Sequence, residues 1–67
     1  MENKRLSDRE KEVFTDIAGG KRISQIAVDL GISVKTVATY RARVLRKLGL
    51  RSNAEIAVAA YKLGLVQ

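Results

Sequence analysis

Ile23-Ser24-Gln25-Ile26-Ala27-Val28-Asp29-Leu30-Gly31-Ile32-Ser33-Val34-Lys35-Thr36-Val37 reads as two helices meeting at a glycine. Ile26, Ala27 and Leu30 recur at helical spacing and give the first, about Ile23 to Leu30, one apolar stripe. Gly31 supplies the left-handed backbone that ends a helix, Ile32 tucks under the turn, and Ser33 brings the oxygen that caps the second helix. That second helix runs from about Val34 to Leu48, with Val37, Val44 and Leu48 on one stripe and Tyr40 and Leu45 at its border. Ala27 has to be small because the two helices cross closely there. Helix, glycine turn, helix is the geometry of a helix-turn-helix, in which the second helix enters a major groove and the first braces it across the nucleic-acid backbone.

The flanking sequence supplies one helix on each side. Upstream, Ser7-Asp8-Arg9-Glu10 is a capping box in which Ser7 bonds the N–H of Glu10 while Glu10 reaches back to Ser7. Val13, Phe14, Ile17 and Ala18 form the inner face of that helix, and Gly19-Gly20 closes it. Downstream, Asn53 is the expected cap of a helix over about Ala54 to Leu63, with Ile56, Ala57, Ala60 and Tyr61 buried and Gly64 at its end. The helix from Ile23 starts poorly, since Arg22 offers no capping oxygen. The expected fold is all-α: a compact four-helix domain over residues 7–65 with a central helix-turn-helix at about 23–47, preceded by a flexible segment or linker remnant, 1–6.

A chain of 67 residues is one domain near the lower size limit for a core without staples. There is no cysteine for a disulfide and neither cysteine nor histidine for zinc, so helix packing must carry the stability. The longest apolar run, Ile56 to Tyr61, is six residues, where a membrane span needs about twenty. Met1 to Arg5 has no apolar segment behind it and reads as neither a signal nor a transit peptide; a chain without cysteine fits a reducing cytoplasm, as it would any other compartment, and the expected location is the cytoplasm, beside the nucleoid. No nucleophile–base pair, metal cluster or phosphate-cradling glycine loop can be assembled, so no catalytic residue, metal or cofactor is expected. Nor is there room for a small-molecule ligand. Asp8, Glu12 and Asp16 recur every four residues, but they read as a solvated helix face paired with Arg9 and Lys11.

The charge is localised. Between Asp29 and Glu55 there is no acid, yet Lys35, Arg41, Arg43, Arg46, Lys47 and Arg51 all fall there. The chain has 13 Lys and Arg against 7 Asp and Glu, and without those six cations the remainder is neutral. A basic element on a neutral body suits a polyanion, because each phosphate neutralised releases condensed counterions.

Joined to Leu6-Ser7-x-Arg9-Glu10-x-Glu12-Val13 upstream, Thr36-Val37 in the third helix and Lys47-Leu48-Gly49-Leu50 after it, the glycine turn becomes specific. The chain resembles the LuxR/NarL/FixJ-type DNA-binding domain, the four-helix C-terminal output module of many bacterial response regulators and quorum-sensing regulators. The resemblance runs from about Leu6 to Leu65. It implies a transcriptional regulator that binds double-stranded operator DNA as a homodimer through its third helix, the fourth contributing to the dimer contact. Four positions depart from the family pattern. Arg22 stands where Ser or Thr usually opens the second helix, Ile23 where a polar residue is commoner, Ala38 where Lys is frequent, and Tyr40 where His is usual.

With Val37, Val44 and Leu48 inward, helical spacing turns Lys35, Ala38, Thr39, Ala42, Arg43 and Arg46 outward. Ala38, Thr39 and Ala42 are small enough to seat the helix deeply and offer methyl groups to thymine; the Thr39 hydroxyl is placed for a base or a phosphate. Lys35 is the best candidate for guanine O6 and N7, and Arg43 for a guanine or a phosphate. By the resemblance, Thr36 and Tyr40 bond phosphate, although Tyr40 reads equally as a half-buried packing residue. Arg41, Arg46 and Lys47 lie progressively towards the end that leaves the groove. In the fourth helix Ala54, Val58 and Ala59 fall outside the inner stripe and are candidates for contact with a second copy.

Two other functions compete. The promoter-recognising C-terminal domain of a sigma factor shares the Leu-Ser-x-Arg-Glu opening and a basic third helix; binding a core polymerase subunit as a monomer distinguishes it. RNA polymerase is also a candidate partner of the regulator itself. A basic module docking on an acidic protein or an anionic membrane predicts no preference among DNA sequences. The family-like fourth helix, Asn53 to Leu65, favours the regulator.

Overall fold

The computed structural model describes residues 5–64, so most of the expected N-terminal segment and Leu65 of the expected domain lie outside the described residues. Four helices succeed one another, α1 (Asp8–Ala18), α2 (Ile23–Leu30), α3 (Val34–Leu48) and α4 (Asn53–Lys62). There is no strand among the described residues, and the fold is all-α.

Helix α1 is the hub, packing against both α3 and α4, while α2 lies against α3. Val13, Phe14 and Ile17 of α1 meet Ile26 and Ala27 of α2, Val37 and Val44 of α3, and Ile56 and Ala60 of α4 in one buried cluster. Phe14, Ile26, Ile56, Val13, Val37 and Val44 are wholly buried, each favouring the folded state by roughly 1.5–3 kcal/mol. Leu30, Tyr40, Leu45 and Leu48 close the edges of the core.

Local chemistry explains where each helix starts and stops. Ser7 Oγ accepts from the Glu10 N–H at 3.2 Å and Glu10 Oε1 accepts from the Ser7 N–H at 2.9 Å, completing the capping box. Ser33 Oγ caps α3 by accepting from the Thr36 N–H at 3.0 Å. Between α2 and α3, Gly31 sits at φ 68° and ψ 34°, and the Ile32 N–H closes back on the Ala27 carbonyl at 3.0 Å. Helix α2 begins at Arg22 with no side-chain cap.

Three expectations are corrected. Ser52, not Asn53, caps α4, its Oγ accepting from the Glu55 N–H at 3.2 Å, so the helix runs one residue earlier than expected. Tyr61 is 71% exposed rather than core. The buried arc of α4 centres on Ile56 and Ala60, with Ala57 and Ala59 half-buried on its flanks; Tyr61 lies roughly 140° round from Ile56. Lastly, Asp16 pairs with Lys21 at 3.8 Å rather than with Arg9 or Lys11, while Arg9 pairs with Glu12 at 3.1 Å.

Candidate nucleic-acid interface

Burying Val37 and Val44 fixes the roll of α3 about its axis. Lys35, Ala38, Thr39, Ala42, Arg43 and Arg46 consequently share one exposed stripe, with Thr36 and Tyr40 half-buried along its border. All eight residues singled out in the sequence therefore lie on one side of one helix. Small residues occupy the middle of that side and cations its two ends, so it presents a shallow surface with charge at its margins.

Several of these side chains are oriented from within the helix. The Thr39 hydroxyl donates to the Lys35 carbonyl at 3.1 Å. The Ser33 and Thr36 hydroxyls share a hydrogen bond of 2.8 Å at the N-terminus of α3. Tyr40 packs its ring against the core, and the Arg43 guanidinium stands 5.8 Å from the centre of that ring. Such a cation–π contact at an exposed site contributes about 0.5–1 kcal/mol and limits where the guanidinium can swing.

The two cations on the flanks of α3 turn away from the stripe. Arg41 Nε donates to Asn53 Oδ1 at 2.7 Å, joining α3 to the start of α4. Lys47 Nζ donates to Glu10 Oε1 at 2.7 Å and to the Arg5 carbonyl at 3.2 Å, on the side facing α1. Lys47 is thus engaged within the molecule, towards α1 and not along the stripe, in the last turn of α3 where the sequence places it. Burial alone would push the Glu10 carboxyl up, but hydrogen bonds from Lys47 and the Ser7 N–H, with the Lys47 charge, hold it below its ordinary value.

On the other side of the helix-turn-helix, Lys21 Nζ meets Asp29 Oδ2 at 2.9 Å, and Gln25 Nε2 donates to Asp29 Oδ1 at 2.8 Å. The Asp29 hydrogen bond, then the charges of Asp16 and Asp29, raises the affinity of Lys21 for its proton; the bonds from Lys21 and Gln25 hold Asp29 low. This exposed cluster links α1, the turn after it and α2. Sequence reading missed it, as it missed the Glu10–Lys47 pair.

Helix α4 presents Ala54 and Val58 to solvent, Val58 at 53% exposure, whereas Ala59 is half-buried against the core. Val58 and Ala59, with Leu50, Glu55 and Lys62, line an open groove of about 230 Å³. No group of three or more His, Cys, Asp or Glu suited to a metal occurs among the described residues. No helix among them is long and apolar enough to cross a membrane.

A helix-turn-helix held in a four-helix body, with an acid-free basic face on its second helix, defines a DNA-binding domain of transcriptional regulators. Residues 4–60 match the family described as bacterial regulatory proteins, luxR family, and the chain belongs to it. Over 52 residues it is 42% identical to the transcriptional regulatory protein UhpA of Salmonella typhimurium, covering 78% of this chain and 26% of that protein. It is 39% identical over 61 residues to the response regulator GacA of Pseudomonas viridiflava, covering 91% of this chain and 28% of the other. With the transcriptional regulatory protein TdiR of Thauera aromatica it shares 43% identity over 51 residues, 76% of this chain and 22% of that one. The chain therefore spans about a quarter of the length of these curated relatives.

Proposed function

We propose that this domain is the sequence-reading output module of a bacterial transcriptional regulator, placing α3 in the major groove of double-stranded operator DNA. Lys35, Ala38, Thr39 and Ala42 face base edges; Thr36, Tyr40, Arg43 and Arg46 hold phosphates or, for Arg43, a guanine. Two copies pair on a two-fold site through Ala54, Val58 and the exposed edge of Ala59. The observation that carries this reading is the exposed stripe of α3, small in the middle and cationic at its ends, in a segment with no acid from Val34 to Leu48. The names of the relatives support it, since they are response regulators and transcriptional regulatory proteins. Work in the cytoplasm at the nucleoid, with RNA polymerase as a further partner, belongs to the same proposal.

Selection of bound sequences from a random DNA pool tests the reading. The expected product is a pair of inverted half-sites about one helical turn, roughly 10 base pairs, apart. A pool that stays random after selection leaves only the charge-driven interaction module. A single asymmetric site overturns the two-fold pairing.

A further inference from the structure

The cations of α3 divide by what they face. Lys35, Arg43 and Arg46 stand on the exposed stripe, whereas Lys47 turns back into the molecule and keeps only 17% side-chain exposure. Its partner Glu10 is 3% exposed at the side chain and is the one buried charged residue among the described residues. A single carboxylate oxygen, Glu10 Oε1, accepts both from the N–H of Ser7, the N-cap residue of α1, and from Lys47 in the last turn of α3. It therefore joins the first turn of one helix to the last turn of another.

We propose that Glu10 and Lys47 are positioning residues for DNA binding, which fix the far end of α3 against α1 and so set the attitude at which its exposed stripe meets the groove. The inference rests on α3 being the DNA-reading helix. The hydrophobic driving force is non-directional, so burying Val37 and Val44 sets which face of α3 turns inward, and side-chain interdigitation together with the polar contacts at its ends sets its attitude. The ion pair behaves differently, because any movement that draws Lys47 away leaves the buried Glu10 carboxylate without its counter-charge. The N-terminal end of α3 is already pinned by the Gly31 turn and the Ser33 cap. Lys47 lies about 18 Å along the axis from Lys35, far enough for the pair to act as a second, separate anchor. On the opposite flank the Arg41–Asn53 hydrogen bond is exposed; water competes for both partners, which makes it the control.

The test uses Glu10→Gln, which keeps an oxygen for the Ser7 N–H but loses the charge, Lys47→Met, which keeps the aliphatic length, and Lys47→Arg, which restores a cation. Affinity for the selected duplex is measured across a salt series at a temperature where each variant is fully folded by circular dichroism. Backbone amide shifts of Lys35 to Arg46 are recorded without DNA. Glu10→Gln and Lys47→Met should each weaken binding roughly three- to thirtyfold, with the parental salt slope, and should move those amides. The double variant should bind no worse than the weaker single, Lys47→Arg should bind as the parent does, and Asn53→Ala should change affinity little.

A salt slope reduced by about one in Lys47→Met, with Glu10→Gln harmless, makes Lys47 a phosphate contact and overturns the proposal. Variants that melt earlier yet bind as the parent, with unmoved α3 amides, reduce the pair to a stability brace and also overturn it. Should Lys47→Met not fold, Glu10→Gln and Lys47→Arg decide by the same readouts. A parent domain that binds no DNA sinks the DNA-reading assignment instead, while the amide shifts still report whether the pair sets α3.

Discussion

Replacing Gly31 by alanine isolates the backbone of the turn from its packing. Gly31 stands at φ 68° and ψ 34°, and a Cβ built there meets no atom within 4 Å. The whole effect must therefore come from conformation. Placing an L-residue in the left-handed region costs roughly 1–2 kcal/mol, and the usual gain from stiffening the unfolded chain does not rescue a position whose native angles alanine resists. In a domain of this size each kcal/mol shifts the melting midpoint by roughly 4–8 °C, so Gly31→Ala should melt about 4–16 °C lower. Gly31→Asn should fall between parent and alanine, because asparagine tolerates the left-handed region better. Thermal unfolding monitored by circular dichroism on the three proteins reads this directly. An alanine variant as stable as the parent, or an asparagine variant as impaired as alanine, would refute the argument that Gly31 is required for its φ and not for space.

Arg43→Ala should weaken DNA binding and reduce the salt slope by about one unit, whereas Arg9→Ala on α1, where Arg9 pairs with Glu12, should leave both unchanged; affinity titrations across a salt series compare them. Val58→Glu should keep the fold and the affinity for one half-site while abolishing cooperative filling of two. Titration of one-site and two-site duplexes shows it, and persistent cooperativity places the pairing surface elsewhere. Acid should expose Glu10: its carboxyl sits below the ordinary value of 4.5, so its contribution to stability is complete above about pH 4.5 and is lost as pH falls through the lower folded value. Denaturant titrations between pH 7 and 3 should show a shallower acid loss in Glu10→Gln, and an identical loss in both proteins counts against the ion pair.

Where the fold depends on neighbours in sequence, it was legible. The Ser7 and Ser33 caps, the Gly31 turn and the stripes of α1 and α3 are settled within a few residues, and each stands where local chemistry puts it. The start of α4 was harder because Ser52 and Asn53 are comparable caps one residue apart. Ser52-x-x-Glu55 is a capping-box spacing that favours the serine, although Glu55 reaches the Arg51 N–H and not that of Ser52. Tyr61 was misplaced because a stripe of Ile56, Ala57, Ala60 and Tyr61 is wider than the arc that α1 covers. For the candidate interface, period alone places Lys35, Ala38, Thr39, Ala42, Arg43 and Arg46 outward. It cannot show that Lys47 has an acid waiting 37 residues earlier in the chain, because that needs the packing of α1 on α3.

The hydrogen bond from Thr39 to the Lys35 carbonyl has a chemical corollary. A hydroxyl carries one donor and two acceptor sites, and here the donor is already committed, so towards the groove Thr39 offers lone pairs and a methyl group. Phosphate oxygens, guanine O6 and N7, and thymine O4 are themselves acceptors and find no proton there. The amino groups of adenine and cytosine do find a partner. Lys35, one turn earlier, has donors only. In the proposed docking of α3, two side chains on the same face thus ask the groove for opposite polarities in a fixed order, and a base step that answers both is rarer than one that answers either.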